Sequence, residues 1–385
     1  MIPYGRQDIN NEDIESIIKV LKSDFLTQGP IVPKFEEAIS EYCGSNYSIA
    51  VTSATAALHL SCIALDLKQG DYLWTSPISF VASANCARYC GANVDFVDID
   101  PLTYNLDPKL LEEKLIKAEK NNVLPKIVIP VHLCGQSAEM QEIYALSKRF
   151  KFKIIEDASH AIGGKYKGYP VGSCKYSDIT IFSFHPVKII TTGEGGIATT
   201  NNIDIAKKIN RLRSHGITRN KNEMINDYHG DWYYEQQDLG YNYRMTDIQA
   251  SLGISQLKRI SAFISKREKI AQRYNIEFED LPIKTPRQNS YVASSRHLYV
   301  IRVDNKKSKT NHSELFSQLR KMHIFVNLHY IPIHIQPYYR NLGFNYGDFP
   351  NSEKYYKEAI SLPIYSTLSN KEQDYIIENI KKLTK

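Results

Sequence analysis

Between residues 48 and about 200 short β-rich runs alternate with helical ones, and no other feature constrains the fold of this chain so strongly. The strand candidates are 48–52, 72–75, 94–98, 126–131, 153–156, 178–183 and 196–200. Helical patterns over 56–65, 79–90, 108–118 and 138–150 fit between several of them. Near-continuous apolar strands with crossover helices specify a mostly parallel sheet covered on both faces. Such sheets bind ligands beyond the carboxyl ends of their strands, so the turns that follow each run are where chemistry is expected.

Outside this region the pattern is looser. Ile14, Ile17, Ile18 and Leu21 follow helical spacing and predict a helix over 11–22, capped by Asn10 or Asn11. A second short helix is expected over 33–42. Residues 217–240 are polar and aromatic without a period, which predicts a surface excursion. Ile248, Leu252, Leu257, Ile260 and Ile270 predict one long helix from 246 to about 281, of the kind that bridges two domains. The remainder alternates strand (298–303, 324–328) with helix (312–322, 371–384). The expected fold class is α/β: a mostly parallel central sheet flanked by helices, with residues 1–257 forming a large domain and 258–385 a smaller C-terminal α/β domain.

The 385 residues suffice for two such units, and 42% apolar with 23% charged residues fills a globular core. The net charge of +6 is scattered, with no Lys/Arg block interleaved with aromatics, which argues against nucleic acid and allows an anionic small substrate. Cys43, Cys62, Cys86, Cys90, Cys134 and Cys174 form no CxxC pair and no zinc-spaced Cys/His set, so no metal is expected and a reducing cytoplasm is. No apolar run approaches the ~20 residues that span a bilayer. The opening Ile2-Pro3-Tyr4 has no basic-then-apolar leader, so no signal peptide and no membrane attachment are expected.

Three turns carry candidate chemistry. In Thr52-Ser53-Ala54-Thr55-Ala56 a strand gives way to small hydroxyl residues and then a helix. Exposed N–H groups and the helix dipole attract an anion there, and Ser53 and Thr55 could add hydroxyl donors, although taken alone the piece reads more readily as a plain helix cap without a ligand. In Glu156-Asp157-Ala158-Ser159-His160 a buried strand ends in an acid pair. An ionised Asp157 there could hold a nearby ring nitrogen protonated. It could also serve only as a cap, and His160 alone could be structural. Lys188 follows the apolar stretch from Ile179 to Phe184 and precedes the small-residue run from Thr191 to Gly196. Lysine normally keeps its head in water. In a pocket it becomes an amine able to form a Schiff base with an aldehyde. A phosphate nest, a pyridinium partner and such a lysine together meet the needs of pyridoxal 5′-phosphate (PLP).

The motifs Leu26-Thr27-Gln28-Gly29, Ser53–Leu58, Val131-His132-Leu133-Cys134-Gly135, Glu156–Ala161, Phe182–Lys188, Gly193-Glu194-Gly195-Gly196, Arg213-Ser214-His215-Gly216 and Gly240–Met245 occur in order along nearly the whole chain. In these the chain resembles the DegT/DnrJ/EryC1/StrS family of fold-type I, PLP-dependent sugar-nucleotide aminotransferases. Ser183–Lys188, Ser294–Val300 and Leu328–His334 resemble its pseudaminic acid pathway branch, which makes UDP-4-amino-4,6-dideoxy-N-acetyl-β-L-altrosamine. The resemblance implies that Lys188 carries the Schiff base and shuttles the proton. It implies Asp157 on the pyridine nitrogen, His160 near the ring O3′, Phe80 on the ring face, and Ser53, Ala54, Thr55 and Ser183 at the phosphate. Asn242 would reach the cofactor of a neighbouring subunit, implying a homodimer. Tyr4, Phe25, Leu26, Thr27, His329 and Tyr330 would line the sugar-nucleotide pocket. Glu194 would support the lysine turn or be a buried structural acid.

The implied reaction is a ping-pong transfer from L-glutamate to C4 of a UDP-linked 4-keto-6-deoxy-N-acetyl sugar, the cofactor cycling through pyridoxamine 5′-phosphate (PMP). Alternatives are a 4-aminotransferase of perosamine or 4-amino-arabinose type, and a non-catalytic protein on the same fold. Sugar deoxygenases of this fold carry histidine in place of the lysine. A nicotinamide-dependent dehydrogenase would want G-x-G-x-x-G where Ser53-Ala54-Thr55-Ala56 stands.

Overall fold

The computed structural model describes residues 1–385. Seven strands form the central sheet: β1 (Tyr47–Val51), β2 (Tyr72–Thr75), β3 (Asn93–Phe96), β4 (Ile127–Ile129), β5 (Lys153–Asp157), β6 (Ile179–Ser183) and β7 (Gly196–Thr200). Their order is β3-β2-β4-β5-β6-β7-β1, all parallel except β7, which runs antiparallel to both neighbours. The α/β class with a mostly parallel sheet is therefore as expected. Flanking helices are α1 (Asn11–Leu21), α2 (Ile31–Cys43), α3 (Ala54–Ala64), α4 (Ala82–Tyr89), α5 (Pro108–Lys120), α6 (Met140–Phe150) and α7 (Ile203–Leu212).

Strand alternation sorts the core into layers. Leu73, Ile127, Ile129, Ile155, Ile179 and Ile181 face α3, α4 and α7. Trp74, Val128 and Ile154 face α5 and α6. Ala50, Phe182 and Ile197 pack under Phe35 of α2. Every residue of β4, β6 and β7 is buried, the hydroxyl residues Thr180, Ser183, Thr199 and Thr200 included.

Three elements depart from expectation. The single helix expected over 246–281 is two, α8 (Asp247–Leu257) and α9 (Ile260–Glu277). Neither Pro nor Gly breaks it. Arg259 does: its guanidinium reaches Asp8 at 3.0 Å and the buried Asp13 at 2.5 Å, and its backbone leaves helical values at φ −102°, ψ 0°. Helix α7 was not foreseen, nor was the strand Ala359–Leu362. The excursion over 217–240 contains a short antiparallel pair, Ile217–Thr218 with Glu235–Gln236. The capping of α1 is as read: Asn10 and Asp13 form a reciprocal capping box.

The C-terminal sheet joins β8 (Ile283–Lys284), β9 (Tyr299–Val303) and β10 (Ala359–Leu362), antiparallel in that order. With α9, α10 (His312–Lys321) and α11 (Asn370–Thr384) it encloses a separate core around Tyr274, Phe278, Tyr299, Leu315 and Ile376. Ile2 is buried in this core, and Ile2–Pro3 pairs in parallel with Ile324–Phe325. All six cysteines are free thiols. No helix is long and apolar enough to cross a membrane.

Candidate active site

A cavity of about 820 Å³ opens where β1, β2, β5 and β6 end, roofed by residues 327–330 of the C-terminal part. Lys188 stands in the β6–β7 connection, its backbone N–H bonded to the His185 carbonyl (2.9 Å). Its side chain lines the cavity, and burial pulls its ammonium down from 10.5 to about 8, against the opposing pull of Asp157. An amine so placed exchanges its proton near neutral pH.

The acid pair at the end of β5 divides, because successive side chains point to opposite sides. Glu156 turns away from the cavity and accepts from His132 Nε2 (2.7 Å), Ser177 Oγ (2.5 Å) and Thr180 Oγ1 (3.2 Å). His132 Nδ1 accepts the Ala138 N–H (3.1 Å), so its proton sits on Nε2. Asp157 lines the cavity. Its Oδ2 accepts from Ser83 Oγ (2.6 Å) and its Oδ1 from the Ser159 N–H (3.1 Å). An ionised carboxylate offers about four acceptor positions, so Asp157 keeps capacity for a further donor.

Helix α3 begins at the cavity wall. Ser53 is its cap, Oγ accepting the Ala56 N–H at 3.1 Å, and the N–H groups of Ala54 and Thr55 have no protein acceptor. Both readings of Ser53 hold together: it caps the helix and leaves the first two N–H groups for an anion. Gly196 sets this geometry. It pairs with both Ser183 and Val51, and a Cβ on it would lie 2.3 Å from the Ser53 carbonyl carbon and 2.4 Å from the Ala54 nitrogen.

Three buried histidines complete the wall, and burial and the Lys188 charge push all of them down, His329 to about 3. They are neutral. His160 Nε2 lies 3.2 Å from Tyr330 Oη, and His329 Nδ1 lies 2.8 Å from Ser361 Oγ. Tyr4 packs on His329 (5.0 Å between ring centroids), and Phe80, 59% exposed, turns its ring into the cavity 6.2 Å from Tyr330.

Of the residues singled out from sequence, Tyr4, Ser53, Ala54, Thr55, Phe80, Asp157, His160, Ser183, Lys188, Glu194, His329 and Tyr330 line this one cavity. Phe25, Leu26, Thr27 and Asn242 do not. Residues 26–27 are tied to α8 (Asp247 N–H to Leu26 carbonyl, 3.0 Å; a bridge from Thr27 to Thr246), which holds Phe25, Leu26 and Thr27 exposed on the outside. Asn242 is exposed on the strand-like stretch bridged to Ser214. Glu194 is not a buried acid: its carboxylate is exposed, and its carbonyl holds the turn by accepting from Thr192 Oγ1 and Gln249 Nε2. Ser83, Ser159, His297 and Asn327 are site residues that sequence reasoning missed. Ser159 and His297 carried a signal, their places in the Glu156–Ala161 and Ser294–Val300 motifs.

Residues 7–381 match the model of the DegT/DnrJ/EryC1/StrS aminotransferase family. The UDP-4-amino-4,6-dideoxy-N-acetyl-β-L-altrosamine transaminase of Campylobacter jejuni is 39% identical over 392 residues, covering 99% of each chain. The structure superposes on Helicobacter pylori PseC, an aminotransferase of pseudaminic acid biosynthesis, with a TM-score of 0.90 at 32% identity over 100% of this chain and 99% of that one. It superposes on the Streptococcus pneumoniae protein Spr1654, known in PLP and PMP forms, with a TM-score of 0.89 at 31% identity for the PMP form, covering 100% of this chain and 99% of that one. The chain belongs to the DegT/DnrJ/EryC1/StrS aminotransferase family. It is a PLP-dependent sugar aminotransferase whose cofactor alternates between PLP and PMP.

The residues present fit that cofactor. Two N–H groups of α3 await an anion, Asp157 has an acceptor position to spare, and the Lys188 amine is depressed toward neutrality.

Proposed function

We propose that this protein transfers the amino group of L-glutamate to C4 of a UDP-linked 4-keto-6-deoxy-N-acetyl hexose, in pseudaminic acid biosynthesis. The aminotransferase reading is carried by Lys188, whose proton affinity falls to about 8 in a cavity it shares with Asp157 and the start of α3. The names of the C. jejuni and H. pylori relatives support the substrate.

When bound, PLP supplies an electrophilic aldehyde and an electron sink for the carbanion at the amine-bearing carbon. The chain's own residues do the rest. Lys188 takes the proton from the donor α-carbon and delivers one to sugar C4, general acid–base work suited to an amine titrating near 8. Asp157, oriented by Ser83 and Ser159, would accept the N–H of the pyridinium and keep it protonated. The Ala54 and Thr55 N–H groups, with Ser53 and Ser183, take the phosphate. Phe80 and His160 line the cavity where the ring of the cofactor would lie, Phe80 to cover a face and His160 to meet its O3′. Tyr4, His329 and Tyr330 line the sugar path and keep water from it. Phe25, Leu26, Thr27 and Asn242, exposed and outside this cavity, complete the site of a second copy in a homodimer. We place the domain division at 257/258, where α8 ends, and the protein in the cytoplasm, in keeping with its free thiols.

The test is a panel of UDP-, dTDP- and GDP-linked 4-keto sugars incubated with glutamate and read by mass spectrometry. Conversion of the UDP-linked N-acetyl 4-keto sugar to its 4-amino product is expected. Amination of only a dTDP- or GDP-sugar would overturn the substrate, and a protein without visible cofactor absorbance would overturn the enzyme.

A further inference from the structure

We propose that His297 is a positioning residue for the reaction: its ring fixes the plane of His160, and a clamp on α9 fixes His297. The proposal rests on the role given to His160 above.

His160 is buried, yet its Nδ1 has no hydrogen-bond partner. Its one polar side-chain contact is Nε2 to Tyr330 Oη. His132, by contrast, is bonded at both nitrogens. A ring held at one nitrogen can still turn about that bond, so packing must set its plane. His297 supplies the packing. Its centroid lies 4.3 Å from that of His160 at 45°, closer than Tyr330 at 6.1 Å. His297 is itself 3% exposed and lines the cavity, and no hydrogen bond holds its Nδ1.

The main chain holds it instead. Arg267 of α9, a buried cation without a carboxylate partner, donates from Nη1 to the carbonyls of Arg296 (3.3 Å), His297 (3.2 Å) and Ile364 (2.9 Å). The next residue, Glu268, accepts from Arg296 Nε (2.8 Å) and Nη2 (3.3 Å). Arg296 adopts φ +53°, a conformation costly for its type and kept where surroundings over-determine it. On the other side Ser295 Oγ donates to the carbonyl of His160 itself (2.8 Å), and its N–H to Gly135 (3.1 Å). Residues 295–297 thus tie α9 to the backbone that carries His160. Burying a guanidinium without a carboxylate partner is costly, and two of the three carbonyls that Arg267 bonds lie on the short segment facing the site.

The experiment compares His297→Ala and His297→Phe with wild type. In the holoenzyme, His297→Ala should lower kcat about 10-fold with KM within about 2-fold, a misorientation effect, and change the visible circular dichroism of the bound cofactor. His297→Phe restores a ring and should recover most of both. In the cofactor-free protein, NMR of labelled histidine should show the His160 ring signals broadened by His297→Ala and unchanged by His297→Phe. Wild-type kcat and unchanged His160 signals in His297→Ala would overturn the proposal. So would a Phe variant as impaired as the Ala variant, since a nitrogen rather than the ring would then matter. If His297→Ala does not fold, Glu268→Gln, which loosens Arg296 from the surface side, should give the same NMR change at smaller amplitude, and no change would overturn the clamp. Absence of transamination by wild type would sink the function proposed above, while the NMR comparison still judges the clamp.

Discussion

Glu156 and Asp157 are neighbours on one strand with opposite fates. Glu156, with His132, Ser177 and Thr180, forms a closed set in which three protein donors meet one carboxylate and His132 is bonded at both nitrogens. Asp157, His160 and Lys188 are left open: a carboxylate with room for another donor, an imidazole with a bare Nδ1, and an amine pushed toward neutrality. Buried polar groups are normally satisfied. Satisfaction marks the first set as architecture, and its lack marks the second as a site that expects a ligand.

The largest expected effect falls on the open set. Lys188→Ala should lower transamination by at least the ~10²–10⁴-fold of lost acid–base catalysis. The protein should still fold, with the visible band of lysine-bound cofactor gone. Retained turnover, measured by product mass, would break the distinction at once.

A reciprocal pair of variants sharpens it. Asp157→Ala should cost about 10²-fold in kcat and little in melting temperature. Glu156→Ala should do the reverse, stranding the buried His132 Nε2–H and two hydroxyls at about 3 kcal/mol while the folded enzyme keeps its kcat. If thermal unfolding and kinetics ranked the two variants alike, closed and open would not map onto structure and function.

How much of this contrast was legible beforehand follows from distance along the chain. Lys188, Asp157 and Ser53 each end an apolar run, so local pattern exposed them. Ser83 was invisible as the donor that orients Asp157, because 74 residues separate them and its place inside a helical pattern looked ordinary. The break in the long helix was hidden likewise: Arg259 is drawn out by Asp13, 246 residues away, with no breaker residue at the site. Strand Ala359–Leu362 is buried on both faces yet holds Ser361 among its four residues, so neither alternation nor an unbroken apolar run marked it. Which member of an acid pair is closed depends on what folds against each face, and adjacent residues in a sequence carry no record of that.

A smaller effect is expected where the two regions share a backbone. Gly196 lets β7 run flush against the start of α3, and a methyl group there meets Ser53 and Ala54 main chain at 2.3–2.5 Å. Gly196→Ala should shift the helix start, costing about 1–3 kcal/mol of stability and weakening cofactor capture in an absorbance titration. The closed set is remote from that contact and should be undisturbed. Unaltered cofactor affinity would mean that the α3 N–H groups are not the anion site.

The smallest expected effect is a pH signature of the open set in the cofactor-free protein. Lys188 binds its proton less tightly when folded, at about 8 against 10.5 ordinarily, chiefly because burial disfavours the charge. Between those values the unfolded chain holds more protons than the folded one, so stability rises with pH across that window. Below it both states are protonated and the half-buried ammonium is a constant cost; above it neither is charged. Lys188→Met removes the titrating group without removing the bulk. Wild type should therefore unfold more easily than Lys188→Met at neutral pH, and the gap should close as pH climbs through the window. A gap that stayed constant would place the amine in bulk water, and an amine in bulk water could not belong to the open set.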